Sequence, residues 1–267
     1  KSVTAFGCLM SRMWLGGFDC VSPEDFLTAL GMQYPTFSKN IQQDAHEFLM
    51  CVLNELHEAL KVRAQLWCKR CVTDAKAGRG SVSETSIITE LFEGQLSYGI
   101  TCLQCNATTN RAESFTVLSL PIPSKSMCSL QNCLKCFFQQ DTLTQNNQIH
   151  CSCCGTKQDA AVKSTITKAP QIIVFHLKRY RGWNLLTHLF QVQTKSDYQF
   201  LALPVVTDSF TRPWCLLQNH SGLLDDGHYT AFCKHSVTQD WYNFDDADIT
   251  KIPNSSVQTD TAYLLFY

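Results

Sequence analysis

The chain has 267 residues, 45% hydrophobic and 17% charged, with a formal net charge of −1, as in an ordinary globular protein. This balanced charge speaks against a nucleic-acid surface, which needs clustered positive charge. No apolar run reaches the roughly 18 residues of a membrane span, and no secretory signal opens the chain. Because it opens with Lys-Ser-Val rather than Met, we expect a fragment or a processed form.

Residues 1–60 are predicted to be mainly helical. Ser22-Pro23-Glu24-Asp25 has the pattern of an N-cap, a first-turn proline and first-turn acids, which predicts a helix start. A second helix is predicted to start near Gln43, because apolar residues recur after it at three- and four-residue spacing. This apolar stripe consists of Ala45, Phe48, Leu49, Val52, Leu53, Leu56 and Leu60. Residues 61–86 are basic and interrupted by Gly and Ser, which predicts a mobile insertion or long loop.

From Ile87 onwards the chain is predicted to form strands. Residues 95–101 alternate like a half-buried strand, and residues 115–121 form another strand that a proline ends. Residues 129–138 fit a short helix. The nearly continuous apolar run 170–177 is expected of a strand buried on both faces. Because helices come first and sheet follows, the fold class is predicted to be α+β.

The 15 cysteines include two well-separated Cys-x-x-Cys units, Cys102 with Cys105 and Cys151 with Cys154. An odd count without a secretory signal favours a reducing compartment, so we expect the protein in the cytoplasm, the nucleus or both. Two such units can hold a structural Zn²⁺ on four thiolates. The alternative is a set of free buried cysteines, and Cys153 leaves the fourth ligand ambiguous.

Two further Cys-x-x-Cys units are weaker candidates for metal binding. Cys68 and Cys71 lie in the predicted loop without a partner unit. Cys133 and Cys136 lie in the predicted short helix, where this spacing only places them on one face. We expect neither unit to bind metal.

A histidine and a carboxylate near the end of the chain are candidates for nucleophilic catalysis. His228 begins one alternating run and Asp245 ends the next, so a hairpin would bring them together. In such a pair the carboxylate fixes the imidazole tautomer and stabilises the imidazolium. The alternative is a purely structural histidine. Earlier in the chain, Asp44 either caps the helix that follows it or contacts a cationic ligand.

Taken in order, these motifs resemble the ubiquitin-specific proteases, a family of cysteine deubiquitinases, with a small, divergent member as the nearest match. The resemblance covers about three quarters of the chain. The matching segments are Gln42–Leu49, Leu91–Leu96, Cys102–Cys105, Phe115–Pro121, Cys151–Cys154, Ile172–Tyr180, Asn219–Gly222, Gly227–Tyr229 and Trp241–Asp246.

The resemblance implies a papain-like cysteine-protease fold in one domain over residues 1–267. Residues 1–90, with the loop 61–86, would form a helical thumb, and residues 91–267 the palm and the fingers, with the zinc ribbon at the fingertips. His228 is implied as general base and Asp245 as the acid that orients it. Asp44 is implied to contact the arginine-containing tail of ubiquitin, and His220 and Tyr229 to lie near the channel for that tail.

The sequence departs from the family pattern in three places. The Asn-x-Gly-Asn-Thr-Cys box that carries the nucleophile is absent, and neither Cys8 nor Cys20 has its neighbours. Asp226 replaces the first glycine of the usual Gly-Gly-His, and residues 181–217 lose the family pattern. We therefore expect a domain associated with deubiquitination that does not cleave by itself, and alternatively an inactive ubiquitin-binding or scaffolding protein.

The expected partners follow from the same reasoning. Ubiquitin or ubiquitinated proteins are implied by the resemblance, while nucleic acid and membrane are not expected, and we expect a monomer. The cysteine units by themselves would also fit a zinc-ribbon module that binds nucleic acid, but the balanced charge of the chain speaks against this alternative.

Overall fold

The structure is a computed structural model that describes residues 1–18, 20–38, 41–71, 85–123, 129–179, 216–222, 227–257 and 259–267, with the backbone alone for residues 62–71. The chain divides into two compact units. The first unit consists of Lys1–Leu91 and Leu224–Gly227, and the second of Phe92–Leu223 and His228–Tyr267. None of the described helices has both the length and the apolar character needed to cross a membrane.

The first unit is helical in its described part. Its helices are α1 (Ser2–Leu15), α2 (Glu24–Gly31), a 3-10 helix (Pro35–Ser38), α3 (Ala45–Cys71) and the start of α4 (Ile87–Phe92). Edge-to-face aromatic contacts join them, with ring centroids 5.3 Å apart for Phe6 and Phe26 and 5.4 Å apart for Phe37 and Phe48. The predicted apolar stripe of α3 is buried or half-buried along its length, which confirms its assignment to the packed face of a helix.

The prediction of a loop over residues 61–86 is wrong for residues 61–71, because α3 continues without a break to Cys71. Residues 61–71 contain mostly good helix formers and neither Gly nor Pro, so helix propagation continues past the amphipathic stripe. Cys68 and Cys71 therefore lie on a helix. Residues 72–84 lie outside the described residues, and that part of the prediction is untested.

The second unit contains the described strands and α5 (Leu130–Phe138), whose first turn is capped by Ser129. In chain order the strands are β1 (Gly94–Cys102), β2 (Thr108–Phe115), β3 (Val117–Pro121), β4 (Asp141–Leu143), β5 (Ile149–His150), β6 (Lys157–Gln158), β7 (Ala160–Lys168), β8 (Val174–Lys178), β9 (Leu216–Gly222), β10 (Gly227–Lys234), β11 (Trp241–Asp245), β12 (Asp248–Ile252) and β13 (Ala262–Phe266).

The described strands form three sheets. The largest has the order β12-β11-β10-β9-β13-β8-β3, another has the order β2-β1-β7-β4, and β5 pairs with β6 alone. In the largest sheet β3 and β8 are parallel, whereas β11 pairs antiparallel with β10 and β12, and β13 pairs antiparallel with β8 and β9. The largely antiparallel sheets and the separate helices confirm the predicted α+β class.

Three predicted elements are recovered with shifted ends. The alternating run 95–101 lies within β1, the segment 129–138 is α5, and the apolar run 170–177 contains most of β8. As expected of a strand buried on both faces, the successive residues Val174 and Phe175 of β8 are both fully buried. The predicted strand 115–121 is in fact two elements, because Phe115 ends β2 and β3 begins at Val117.

Gly94 offers a test of the packing at the start of β1. A Cβ at this position would lie 2.9 Å from the carbonyl oxygen of Lys168 and still closer to the ring of Phe115. We expect Gly94→Ala to lower the free energy of unfolding by about 1–3 kcal/mol, as overpacking generally does. Chemical denaturation measures this loss.

The matched control is Gly99→Ala on the same strand. There a Cβ would meet its nearest atom, Oδ1 of Asn110, at an ordinary 3.5 Å. We expect a change of no more than about 0.5 kcal/mol, because alanine in a strand without clash also reduces the entropy of the unfolded chain. Equal losses for the two variants would contradict this account of the close approach at Gly94.

Candidate functional site

The two predicted cysteine units form two turns of the same construction. Cys102 ends β1 and its turn leads into β2, while the turn that starts at Cys151 joins β5 to β6. In each turn the carbonyl of the first cysteine accepts the N–H of the residue four positions later, Asn106 or Gly155, at 2.9 Å. Both of these residues have positive φ, 59° and 68°. In this repeated geometry each turn places its two cysteine sulfurs on the same side of the turn.

The four sulfurs meet in one cluster. The Sγ atoms of Cys102 and Cys154 lie 4.0 Å apart, those of Cys105 and Cys151 lie 3.5 Å apart, and all four lie within 4.8 Å of one another. Four thiolates at about 2.3 Å from a tetrahedral zinc would be separated by about 3.8 Å. The cluster therefore fits Zn²⁺, and it leaves no open coordination position for substrate.

The electrostatics of the cluster also favour a cation. The backbone N–H of Cys154 lowers the pKa of Cys151 to about 6, so this sulfur is easily ionised. Hydrogen bonding with the sulfur of Cys105, together with desolvation, raises the pKa of Cys154 to about 12. A divalent cation would favour the ionised form of each sulfur and hold all four as thiolates.

The structure also decides the ambiguity in the second unit. Cys154 belongs to the cluster, whereas Cys153 is exposed and lies outside it. On α5, Cys133 is buried and Cys136 is exposed, and neither belongs to a described metal-ligand cluster.

His228 and Asp245 lie on neighbouring strands of the largest sheet. The register of β10 and β11 pairs Ala231 with Phe244, and one further step would place Thr230 opposite Asp245. His228 is then the diagonal neighbour of Asp245 on the same face, within reach of a long side chain. The predicted contact is present, with Nε2 of His228 and Oδ1 of Asp245 2.6 Å apart.

This contact gives the imidazole a defined proton arrangement. An ionised carboxylate only accepts hydrogen bonds, so Nε2 carries the proton toward Asp245, and Nδ1 of the neutral ring is the nitrogen with a free lone pair. About half of each side chain, 48% for His228 and 47% for Asp245, is exposed. Hydrogen bonding to Asp245 raises the pKa of His228, and the negative charges of Asp245 and Asp246 act in the same direction.

Replacing Asp245 with asparagine is expected to lower the pKa of His228 toward the ordinary value of about 6.5, because the largest cause of the rise is lost. NMR of the His228 ring against pH measures the shift. In the native chain the stability contributed by this pair is fully present below about pH 6.5 and is lost as the pH rises through the folded-state pKa. Asp248→Asn is the control for the pKa of His228. It removes a charge that faces Asp245 across the hairpin but leaves the hydrogen bond between His228 and Asp245 in place. An unchanged midpoint in Asp245→Asn would contradict the geometry.

The sequence reasoning missed Asp246. It follows Asp245 in the turn between β11 and β12, has a positive φ of 50°, and places a carboxylate oxygen within 4.8 Å of the ligand atoms of His228 and Asp245. A two-residue turn between aromatic and alternating strands was the available signal, since Asp and Asn tolerate positive φ. Among the residues that the structure describes, no cysteine belongs to this cluster of His228, Asp245 and Asp246.

Asp44 caps α3, as one of its two interpretations predicts. Its Oδ1 accepts the backbone N–H of Glu47 at 2.9 Å, and its carbonyl accepts the N–H of Phe48. This satisfies two N–H groups of the first turn. The contact of Asp44 with ubiquitin stays a prediction.

His220 and Tyr229 are brought together on β9 and β10. Their ring centroids lie 4.4 Å apart, and the ring of Tyr263 lies 5.9 Å from that of Tyr229. His220 is buried, with its backbone N–H donated to the carbonyl of Thr261. Their place near a substrate channel stays a prediction.

The remaining candidates are exposed or lie outside the described residues. Cys8 lies on α1 and Cys20 precedes α2, and both are exposed. Asp226 and residues 180–215 lie outside the described residues.

A family model described as ubiquitin carboxyl-terminal hydrolase matches residues 2–267. Among curated relatives, Ubiquitin carboxyl-terminal hydrolase 2 of Gallus gallus is 31% identical over 99% of this chain and 79% of its own length. The Homo sapiens protein of that name is 31% identical over 99% of this chain and 47% of its own length. Ubiquitin carboxyl-terminal hydrolase Usp2 of Drosophila melanogaster is 30% identical, and the chain covers 29% of its length. The chain thus spans less than half of the latter two proteins.

Solved structures also include chains that are similar to this chain. The SAGA Ubp8/Sgf11/Sus1/Sgf73 DUB module bound to ubiquitin aldehyde contains a chain that matches with a TM-score of 0.70 and 26% identity, over 91% of this chain and 53% of that one. The same module bound to monoubiquitin matches with a TM-score of 0.68 and 26% identity, over 91% and 52%.

Proposed function

Because this chain belongs to the ubiquitin carboxyl-terminal hydrolase family, we propose that it carries the base and its orienting acid for thiol-dependent cleavage after the C-terminal glycine of ubiquitin. His228 is the general base and Asp245 orients it. The observation that carries the proposal is the 2.6 Å contact between Nε2 of His228 and Oδ1 of Asp245. Ubiquitin as partner is supported by the ubiquitin-bound neighbours.

The contact supports this role because it prepares the ring for proton transfer. With Nε2–H held by Asp245, Nδ1 accepts the proton of a thiol, and the carboxylate stabilises the resulting imidazolium. The thiolate then attacks the carbonyl carbon at the end of ubiquitin, the bond to the leaving amine breaks, and Nδ1–H returns the proton to that amine. Water later releases ubiquitin from the sulfur by the same proton relay.

We propose that the thiol comes from outside this chain, so the chain does not cleave by itself. This proposal rests on the sequence, which contains no Asn-x-Gly-Asn-Thr-Cys box. The base and acid alone provide only residual catalysis.

The test uses ubiquitin with an electrophilic C-terminus. We expect no covalent adduct with this chain and measurable binding of unmodified ubiquitin by calorimetry, whereas the natural full-length protein should form the adduct. An adduct with a cysteine of this chain would overturn the assignment of the thiol. A full-length protein that is never labelled would overturn the enzymatic proposal.

The second candidate is a ubiquitin-binding or scaffolding protein without activity, which the missing cysteine box favours. The His228–Asp245 contact favours the enzyme, because a scaffold does not need an imidazole with one defined tautomer. The two candidates differ in one measurement: a scaffold binds ubiquitin but its full-length form leaves the electrophilic probe unreacted.

We further propose that the four-cysteine cluster holds a structural Zn²⁺ and that the chain is a monomer. The two turns belong to different sheets, and the four sulfurs of the cluster bring them together, close to the backbone hydrogen bond that Leu103 donates to Asp159. A closed four-thiolate site would supply that link without taking part in the reaction. Metal analysis and light scattering test the two statements separately.

A further inference from the structure

The turn between β11 and β12 gathers a mixed set of metal-ligand atoms. One ring nitrogen of His228 and one carboxylate oxygen each of Asp245 and Asp246 lie within 4.8 Å of one another. His228 and Asp246 are exposed and Asp245 is about half exposed, so a dissolved cation reaches all three. One imidazole and two carboxylates are the donor types of open zinc sites, in which three protein ligands leave a position for water.

We propose that this cluster is a second, exchangeable Zn²⁺ site, distinct from the four-cysteine cluster. Ligands at about 2.0–2.1 Å from a tetrahedral zinc are separated by about 3.3 Å. The present separation of 2.6 Å between Nε2 of His228 and Oδ1 of Asp245 is that of a shared proton. Zinc therefore replaces the proton between these two atoms, and the pair opens by about 0.7 Å while Asp246 supplies the third ligand.

Zinc binding changes the tautomer of His228. Zinc takes the lone pair of Nε2, so the single proton of the neutral ring moves through solvent from Nε2 to Nδ1. If the ring is an imidazolium, one proton is released to solvent instead. In both cases Nδ1 ends with a proton and can no longer accept one.

The consequence for catalysis rests on the proposed function. If Nδ1 of His228 takes the proton of the thiol, a ring protonated at Nδ1 and bound to zinc cannot act as base, and the zinc charge opposes formation of an imidazolium. Zinc at this cluster is therefore a reversible inhibitor of the proposed reaction. Binding itself requires neither ubiquitin nor a thiol.

The test titrates Zn²⁺ into the chain already loaded at the four-cysteine cluster and follows the ring nitrogens of His228 by ¹⁵N NMR. We expect saturable shifts that report a change from the Nε2–H to the Nδ1–H tautomer. Asp246→Asn should weaken binding at least about tenfold, because it removes one of three ligands. Asparagine also tolerates the positive φ of this position, so the turn is retained.

Asp248→Asn is the matched control. It removes the same charge from an exposed residue of the same hairpin, but Asp248 lies outside the cluster. We expect its zinc affinity to stay within about twofold of the native value. His228 resonances that do not respond to zinc, or equal losses in Asp246→Asn and Asp248→Asn, would overturn the site. Failure of the ubiquitin probe experiment would leave these outcomes unchanged, so the two proposals are tested independently.

Discussion

Replacing Cys154 with serine is expected to abolish zinc binding at the four-cysteine cluster and to lower the free energy of unfolding by more than about 3 kcal/mol. Structural zinc contributes about 10–16 kcal/mol of apparent binding free energy in small zinc domains, and the loss of one of four thiolates forfeits much of it. Metal content is measured on the purified native chain and the purified variant. Thermal unfolding of both chains in the presence of Zn²⁺ measures the loss of stability.

Cys153→Ser provides the control for this prediction. It makes the same chemical change one residue earlier, at an exposed side chain outside the cluster. We expect full zinc content and a change in stability of no more than about 0.5 kcal/mol. Retention of zinc by Cys154→Ser together with its loss in Cys153→Ser would show that the fourth ligand is misassigned.

Replacing Asp245 with asparagine in the full-length protein is expected to reduce kcat for ubiquitin cleavage by about 10²–10⁴-fold, the range of a general base that no longer functions. An asparagine amide can donate to the ring and favour the wrong tautomer, and it carries no charge to stabilise the imidazolium. KM should change little, because ubiquitin binding does not depend on the proton of His228. Steady-state cleavage of a ubiquitin-linked fluorophore gives both constants.

Two comparisons keep this result specific. Asp248→Asn removes a neighbouring charge on the same hairpin and should retain kcat within about twofold. Circular dichroism of Asp245→Asn should match the native protein, since Asp245 lies at the end of β11 and its side chain is about half exposed. A kcat for Asp245→Asn close to the native value would mean that Asp245 does not orient the base.

The sequence was most informative where one residue pattern has one physical solution. The apolar stripe of α3, the alternation in β1 and the apolar run of β8 are each explained by one periodicity and one buried face. The paired cysteine units also predicted their own meeting, because no single turn supplies four thiolates.

Sequence patterns failed where an element is stabilised by a neighbour. The strand β2 is exposed along nearly its whole length and has no apolar alternation, so its sequence has no strand signal. It pairs residue by residue with β1, and those backbone hydrogen bonds maintain it as an edge strand. The continuation of α3 to Cys71 was missed for a different reason. Its basic composition was taken to indicate a loop, although most of its residues favour a helix.

The sequence by itself determined the residue types of this protein's chemistry: four cysteines in two turns, and an imidazole and a carboxylate on the two strands of one hairpin. Tertiary structure alone decided that Cys154 rather than Cys153 joins the cluster, that Nε2 rather than Nδ1 faces Asp245, and that Asp246 lies beside them. The physical reason is that ligand choice and tautomer depend on strand register and turn dihedral angles, which differ between neighbouring residues that the sequence presents as equivalent.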